Sequence, residues 1–83
     1  MYKVKLTACA RRGLKNLSKS YKEAVTLAID ELKEQPTLGK PLGRELTGRF
    51  SIRIGVYRII YKIDKKDDIV LVLNVGHRSK VYS

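Results

Sequence analysis

One cysteine, no tryptophan, a single methionine and one histidine leave this 83-residue chain few of the residues that cross-link small folds or hold metals. With Cys9 alone no internal disulfide can form, and Cys9 and His77 together are too few ligands for a zinc or haem site. Nothing approaches the roughly 18 consecutive apolar residues of a membrane-spanning helix. The opening Met1-Tyr2-Lys3-Val4-Lys5 has no apolar run ahead of a small-residue cleavage site. Membrane insertion and secretion are therefore not expected, and the cytoplasm is the expected compartment. Acidic residues are scarce too, 8 against 18 Lys+Arg, for a formal net charge of +10. Since 43% of the residues are hydrophobic, too many for a disordered basic tail, the chain is expected to be a folded polycation.

At roughly 100–200 residues per domain, residues 1–83 allow one domain. A chain of this size buries only about 60–65% of its unfolded surface, so the core is modest, no large cofactor cavity fits inside, and a functional site belongs on the surface. The charge is uneven. Residues 1–20 carry six bases and no acids (+6), residues 21–40 three bases and four acids (−1), and residues 41–83 nine bases and four acids (+5). Bases concentrated on some elements and absent from others are the footprint of a polyanion-binding face.

Tyr2-Lys3-Val4-Lys5-Leu6 alternates apolar and basic residues, which predicts a half-buried strand with its lysines on the open face. Thr7 can cap a helix over residues 8–17 whose apolar face is Ala10, Leu14 and Leu17, with Gly13 weakening it. Ser20 and Glu23 form a capping-box pair, which predicts a second helix starting there, with the stripe Val25, Ala28, Ile29 and Leu32. Gln35-Pro36 turns the chain out of it. Residues 36–48, with two prolines and three glycines, read as a long connecting loop. Strands are predicted over 50–54, 57–63 and 69–75, with Gly55-Val56 as a tight turn and Asp64-Lys65-Lys66-Asp67-Asp68 as a polar one. The run Ile69-Val70-Leu71-Val72-Leu73 suits a central strand covered on both faces. The order βααβββ predicts an α+β domain, two N-terminal helices on a mostly antiparallel four-stranded sheet.

Signatures of most enzyme classes are missing: there is no phosphate-binding glycine loop, no Gly-x-Ser-x-Gly elbow and no second cysteine or histidine. Asp67 and Asp68 share a polar turn, where neighbouring carboxylates are solvated, so no metal and no cofactor is expected. Cys9, with no placed base, reads as a small packing residue. What remains is cationic. Arg53 and Arg58 flank the Gly55-Val56 turn, so a tight hairpin puts both guanidiniums on one face of the sheet, and the last strand brings Arg78 to the same neighbourhood. Clustered guanidiniums repel one another, and an anion among them resolves the repulsion.

The strings Leu46-Thr47-Gly48-Arg49-Phe50-Ser51-Ile52-Arg53-Ile54-Gly55-Val56-Tyr57-Arg58-Ile59-Ile60-Tyr61 and Val75-Gly76-His77-Arg78-Ser79-Lys80-Val81-Tyr82 resemble the signature strands of RelE-type toxins of the RelE/ParE superfamily. The resemblance covers nearly the whole chain. It implies a toxin of a type II toxin–antitoxin pair, partnered by an acidic antitoxin, that enters the ribosome and cuts mRNA there without metal. The 2′-hydroxyl would be the nucleophile, leaving a 2′,3′-cyclic phosphate and a 5′-hydroxyl. Carried over by position, Arg53, Arg58, Arg78 and Tyr82 are the expected catalytic residues. Arg58 would stabilise the phosphorane, Arg78 would neutralise the departing 5′-oxygen, and Tyr82 would stack on a base or orient the 2′-hydroxyl. Lys3, Lys5, Arg49, Ser51 and Lys80 are the expected RNA contacts.

This chain departs from some relatives by carrying Ser51 where they have a lysine, and an arginine at 53 is too basic to accept a proton. Either the acid–base work falls to His77, since imidazole exchanges protons near neutral pH, or activity is weak and the fold serves another target. Two alternatives stand beside this reading: a ParE-type toxin that poisons DNA gyrase through a protein interface, and a passive nucleic-acid-binding module. The ending Gly-His-Arg-Ser-Lys-Val-Tyr looks more like the ribonuclease branch.

Overall fold

A computed structural model describes residues 2–42 and 48–77. Along the chain these form β1 (Lys3–Leu6), α1 (Ala8–Lys15), α2 (Lys19–Glu34), β2 (Lys40–Pro41), β3 (Arg49–Ile54), β4 (Tyr57–Asp64) and β5 (Ile69–His77). The strands make one sheet in the order β1-β5-β4-β3-β2. Neighbours run antiparallel except β1, which pairs parallel to β5 with Lys3 opposite Ile69 and Leu6 opposite Val72. The α+β arrangement of two helices on a mostly antiparallel sheet is as the alternation predicts, with one strand more.

That fifth strand is β2, inside the segment that reads as loop. Lys40 and Pro41 pair with Ser51 and Phe50. Pro41 has no N–H to give, which an edge strand tolerates. The Tyr61 hydroxyl, some twenty positions away in sequence, donates to the Pro36 carbonyl at 2.8 Å and accepts from the Gly39 amide at 2.9 Å. No local pattern encodes such a tether.

The helices lie on the face carrying Val4, Leu6, Phe50, Ile52, Ile59, Tyr61, Val70, Val72 and Val75, and the core closes on Ala10 and Leu17 of the α1 region and on Val25, Ile29 and Leu32 of α2. Burying a side chain of this kind contributes about 1.5–3 kcal/mol. Both helices lie on that one face, and on the other Ile69, Leu71 and Leu73 are only half-buried. β5 is therefore interior but covered on one side, against the expectation of two, and the middle strand is β4.

Thr7 caps α1 as expected, its side chain accepting from the Ala10 amide at 3.1 Å while its hydroxyl donates to the Leu73 carbonyl at 2.8 Å. The helix stops at Lys15, two residues before the expected end, in a tightened turn where the Leu17 amide donates to the Leu14 carbonyl. Gly13 has a tertiary reason: its α-carbon lies against the Val75 carbonyl of β5, and any side chain there would collide with it. The capping-box expectation for α2 is corrected. Ser18, in extended conformation and without a side-chain cap bond, precedes the helix, and Ser20 and Glu23 fall inside its first turns. Buried Leu17 pins the connection, and the helix resumes directly after it.

Candidate functional site

β3 and β4 join through Gly55-Val56, and Gly55 has φ +59, the left-handed conformation that a two-residue hairpin asks of its first central position. A side chain at 55 would also press on the Tyr21 hydroxyl at the start of α2. The register sets Ile54 opposite Tyr57 and Arg53 directly opposite Arg58. Strand alternation then sends Tyr57 towards the helices, where its ring meets Tyr21 edge-on at 4.6 Å, and sends both arginines to the open face.

The two arginines are not equivalent. Arg53 is exposed, whereas Arg58 is buried, 9% accessible, flanked by Arg53 on β3 and by Gly76 on β5. Its Nη1 is fully buried and has no hydrogen-bond partner among the described residues. A buried guanidinium donor left without an acceptor costs about 1–3 kcal/mol or more, so the fold carries an unmet demand for an anion at this point. Above it opens a groove of about 480 Å³, walled by Leu38, Lys40, Pro41 and Leu42 and floored by Ser51, Arg53 and Arg58, with no carboxylate among the described residues that line it.

Arg49 and Lys62 face each other on the same side of the sheet, four residues along the strands from Arg53 and Arg58, or about 13 Å. Lys3 and Lys5 stand beside Ile69 and Leu71, two strands over from β4. Lys5 borders a second depression of about 700 Å³ at that end, together with Lys62, Asp64 and Lys65. His77 pairs with Tyr57, its ring centroid 6.0 Å from the tyrosine's, so it stands on the helix side of β5 while Arg58 stands on the open side. The sheet thus brings Arg53, Arg58 and Ser51 together, leaves Arg49, Lys3 and Lys5 further along the same face, and sets His77 at the same end on the opposite face. Arg78, Lys80 and Tyr82 lie outside the described residues.

Lys40, Lys62 and Lys65 join this face without having been singled out from the sequence. Lys62 follows Arg58 and Ile60 at period two, a signal that was legible. Lys40 had none. Among the described residues no three His, Cys, Asp or Glu side chains gather into a metal site, and no helix is long and apolar enough to cross a membrane. Burial pushes the Tyr61 hydroxyl above the ordinary tyrosine value, partly offset by the Gly39 amide that donates to it.

The family model for the ParE toxin of the parDE type II toxin–antitoxin system matches residues 4–82. The chain is 43% identical to toxin RelG of Mycobacterium tuberculosis, over 98% of this chain and 95% of that protein. It is 37% identical to toxin RelE of the same organism, over 98% and 86%. Among solved structures, the toxin–antitoxin complex RelBE2 from Mycobacterium tuberculosis superposes with a TM-score of 0.85 at 43% identity, covering 93% of this chain and 98% of that one. The isolated Escherichia coli RelE toxin has the same fold, with a TM-score of 0.81 at 24% identity over 99% and 92% of the two chains.

Proposed function

From the premise that this chain belongs to the RelE/ParE superfamily of type II toxins, matched over residues 4–82, we propose that it cleaves mRNA on the ribosome. The observation that carries this reading is the buried Nη1 of Arg58, without a partner among the described residues, beside Arg53 in a groove whose described lining holds no carboxylate. In the reaction, the 2′-oxygen attacks the adjacent phosphorus and gives up its proton to a base. The bond to the 5′-oxygen breaks, that oxygen takes up a proton, and a 2′,3′-cyclic phosphate and a 5′-hydroxyl remain. The negative charge that builds on the non-bridging oxygens is what guanidinium donors stabilise, and donors already in place cost no reorganisation as the charge develops.

Arg58 is the principal phosphate donor and Arg53 its partner, with Arg78 at the departing 5′-oxygen and Tyr82 against a base. Neither guanidinium in the groove exchanges protons at neutral pH. That work is assigned to His77, which stands at the same end of the sheet but on the opposite face from Arg58, so it acts on RNA that passes around that end rather than within the groove. A domain this small has little else with which to orient the 2′-hydroxyl, so the ribosome supplies the alignment and naked RNA reacts poorly. The relatives crystallised as toxin–antitoxin complexes support an antitoxin partner for this chain as well.

The test is to incubate the purified protein with programmed ribosomes and map new 5′-ends. Discrete cuts are expected, and an intact message across a wide range of enzyme concentration would reject the nuclease reading. The ParE description of the matching family favours gyrase as the second reading. Inhibition of gyrase supercoiling by the same preparation, with the message left whole, would establish it.

A further inference from the structure

The edge strand β2 adds a cation beside Arg53 and Arg58 on the open face of the sheet. Lys40 stands directly across from Ser51, and Ser51 is two residues from Arg53 on the same side of β3. Directly paired residues have their β-carbons about 4.5–5.5 Å apart and diagonal ones about 7–8 Å, so the lysine stem reaches the space above Arg53 without strain. Lys40 lines the groove that holds Arg53 and Arg58, and among the described residues of that lining there is no carboxylate.

Two residues are too few to hold a strand in place by themselves, yet β2 is tied down on both sides. The Tyr61 hydroxyl grips the Pro36 carbonyl and the Gly39 amide just before it, and the Leu42 amide donates to the Arg49 carbonyl at 2.8 Å just after it. Gly39 lies so close to the sheet that a β-carbon there would come within 2.8 Å of both the Ser51 carbonyl and the Tyr61 hydroxyl. Tyr61 is itself buried and stacked on Phe50, with centroids 5.4 Å apart.

We propose that Lys40 is the third phosphate-contacting cation of this groove, taking the phosphate next to the one held by Arg53 and Arg58, and that Tyr61 is the residue that positions it. The proposal rests on the reading of the groove as an RNA phosphate site. Lysine serves here as a point charge on a flexible stem, suited to a neighbouring phosphate, while the planar arginine forks hold the reacting one.

The experiment measures binding of a short 2′-O-methyl oligoribonucleotide, which cannot be cleaved, as a function of salt. Loss of one phosphate contact on a single strand lowers the slope of log K against log salt by about 0.7. Lys40→Ala is expected to show that drop, Lys40→Arg to keep the native slope, and Lys22→Ala, on exposed α2, to change nothing. A Lys40→Ala slope equal to that of Lys22→Ala would overturn the contact. For Tyr61 the test is a double-mutant cycle on the same binding. Tyr61→Phe and Lys40→Ala should be non-additive, whereas Tyr61→Phe and Lys62→Ala should add. Gly39→Ala, whose methyl group meets both the Ser51 carbonyl and the Tyr61 hydroxyl and so displaces β2 while the tyrosine itself is retained, should repeat the non-additivity with Lys40→Ala. Additivity throughout would reduce Tyr61 to a structural residue. Because the probe is inert, a protein that fails to cut ribosome-bound message but shows the Lys40 slope change loses the nuclease reading alone, and the converse result loses Lys40 alone.

Discussion

Arg53 and Arg58 face each other across a two-residue hairpin, the first in solvent and the second buried with one guanidinium nitrogen unpartnered among the described residues. The difference comes from position in the sheet. β4 is the middle strand, with β3 and β5 on its two sides, whereas β3 has only the two-residue β2 beyond it.

Stability and activity should therefore move in opposite directions at Arg58. Arg58→Met removes a buried guanidinium whose Nη1 has no partner among the described residues and is expected to raise the unfolding free energy by about 1–3 kcal/mol. The same change should lower cleavage on programmed ribosomes on the order of 10²-fold or more. Urea denaturation and 5′-end mapping on one preparation check both, and a variant that loses stability would show that the guanidinium has a partner after all.

Gly13→Ala decides between local propensity and tertiary contact. In an exposed helix interior the change stabilises by about 1 kcal/mol. Here the new methyl group meets the Val75 carbonyl, a backbone atom that cannot swing aside, so a loss of about 1–3 kcal/mol is expected. Thermal unfolding followed by circular dichroism reads the sign.

Tyr61 predicts an alkaline limit to stability. Its hydroxyl is held above the ordinary value of 10.0 by burial, so the unfolded chain gives up that proton first as the pH rises. The contribution is complete below pH 10 and is lost as the pH climbs through the raised native value. Denaturant midpoints measured between pH 8 and 11 should fall more steeply for the native protein than for Tyr61→Phe, and parallel curves would exclude the tyrosine as the cause.

His77→Ala examines proton transfer. If imidazole is the base, the variant should lose at least tenfold in kcat with little change in KM, and the acid limb of the pH–rate profile should disappear. Retention of that limb would hand the role to another group.

An acidic antitoxin should associate quickly with a domain of net charge +10. Stopped-flow binding at increasing salt is expected to lower the on-rate far more than it raises the off-rate, as electrostatic steering requires. An on-rate indifferent to salt would place the affinity in apolar contacts instead.

Much of this was legible from short-range pattern. Period-two alternation marks β1, β3 and β4 because one face of each packs on helices, and Thr7 announces the start of α1 through chemistry local to that turn. The Arg53 and Arg58 pairing follows from the length of the Gly55-Val56 turn alone, since two loop residues force the register. Misplaced readings share a cause. A capping box at Ser20 was outcompeted by the burial of Leu17, and β5 looked doubly covered because its apolar composition does not reveal that both helices lie on one side.

The sequence by itself determined the class of fold, the basic character and the arginine pair, because each depends on residues within a few positions of one another. Tertiary structure alone decided which arginine is buried, since that depends on strand order. It also decided that Lys40 joins the groove, because a loop becomes an edge strand only when Tyr61, far away in the chain, supplies the hydrogen bonds that hold it there.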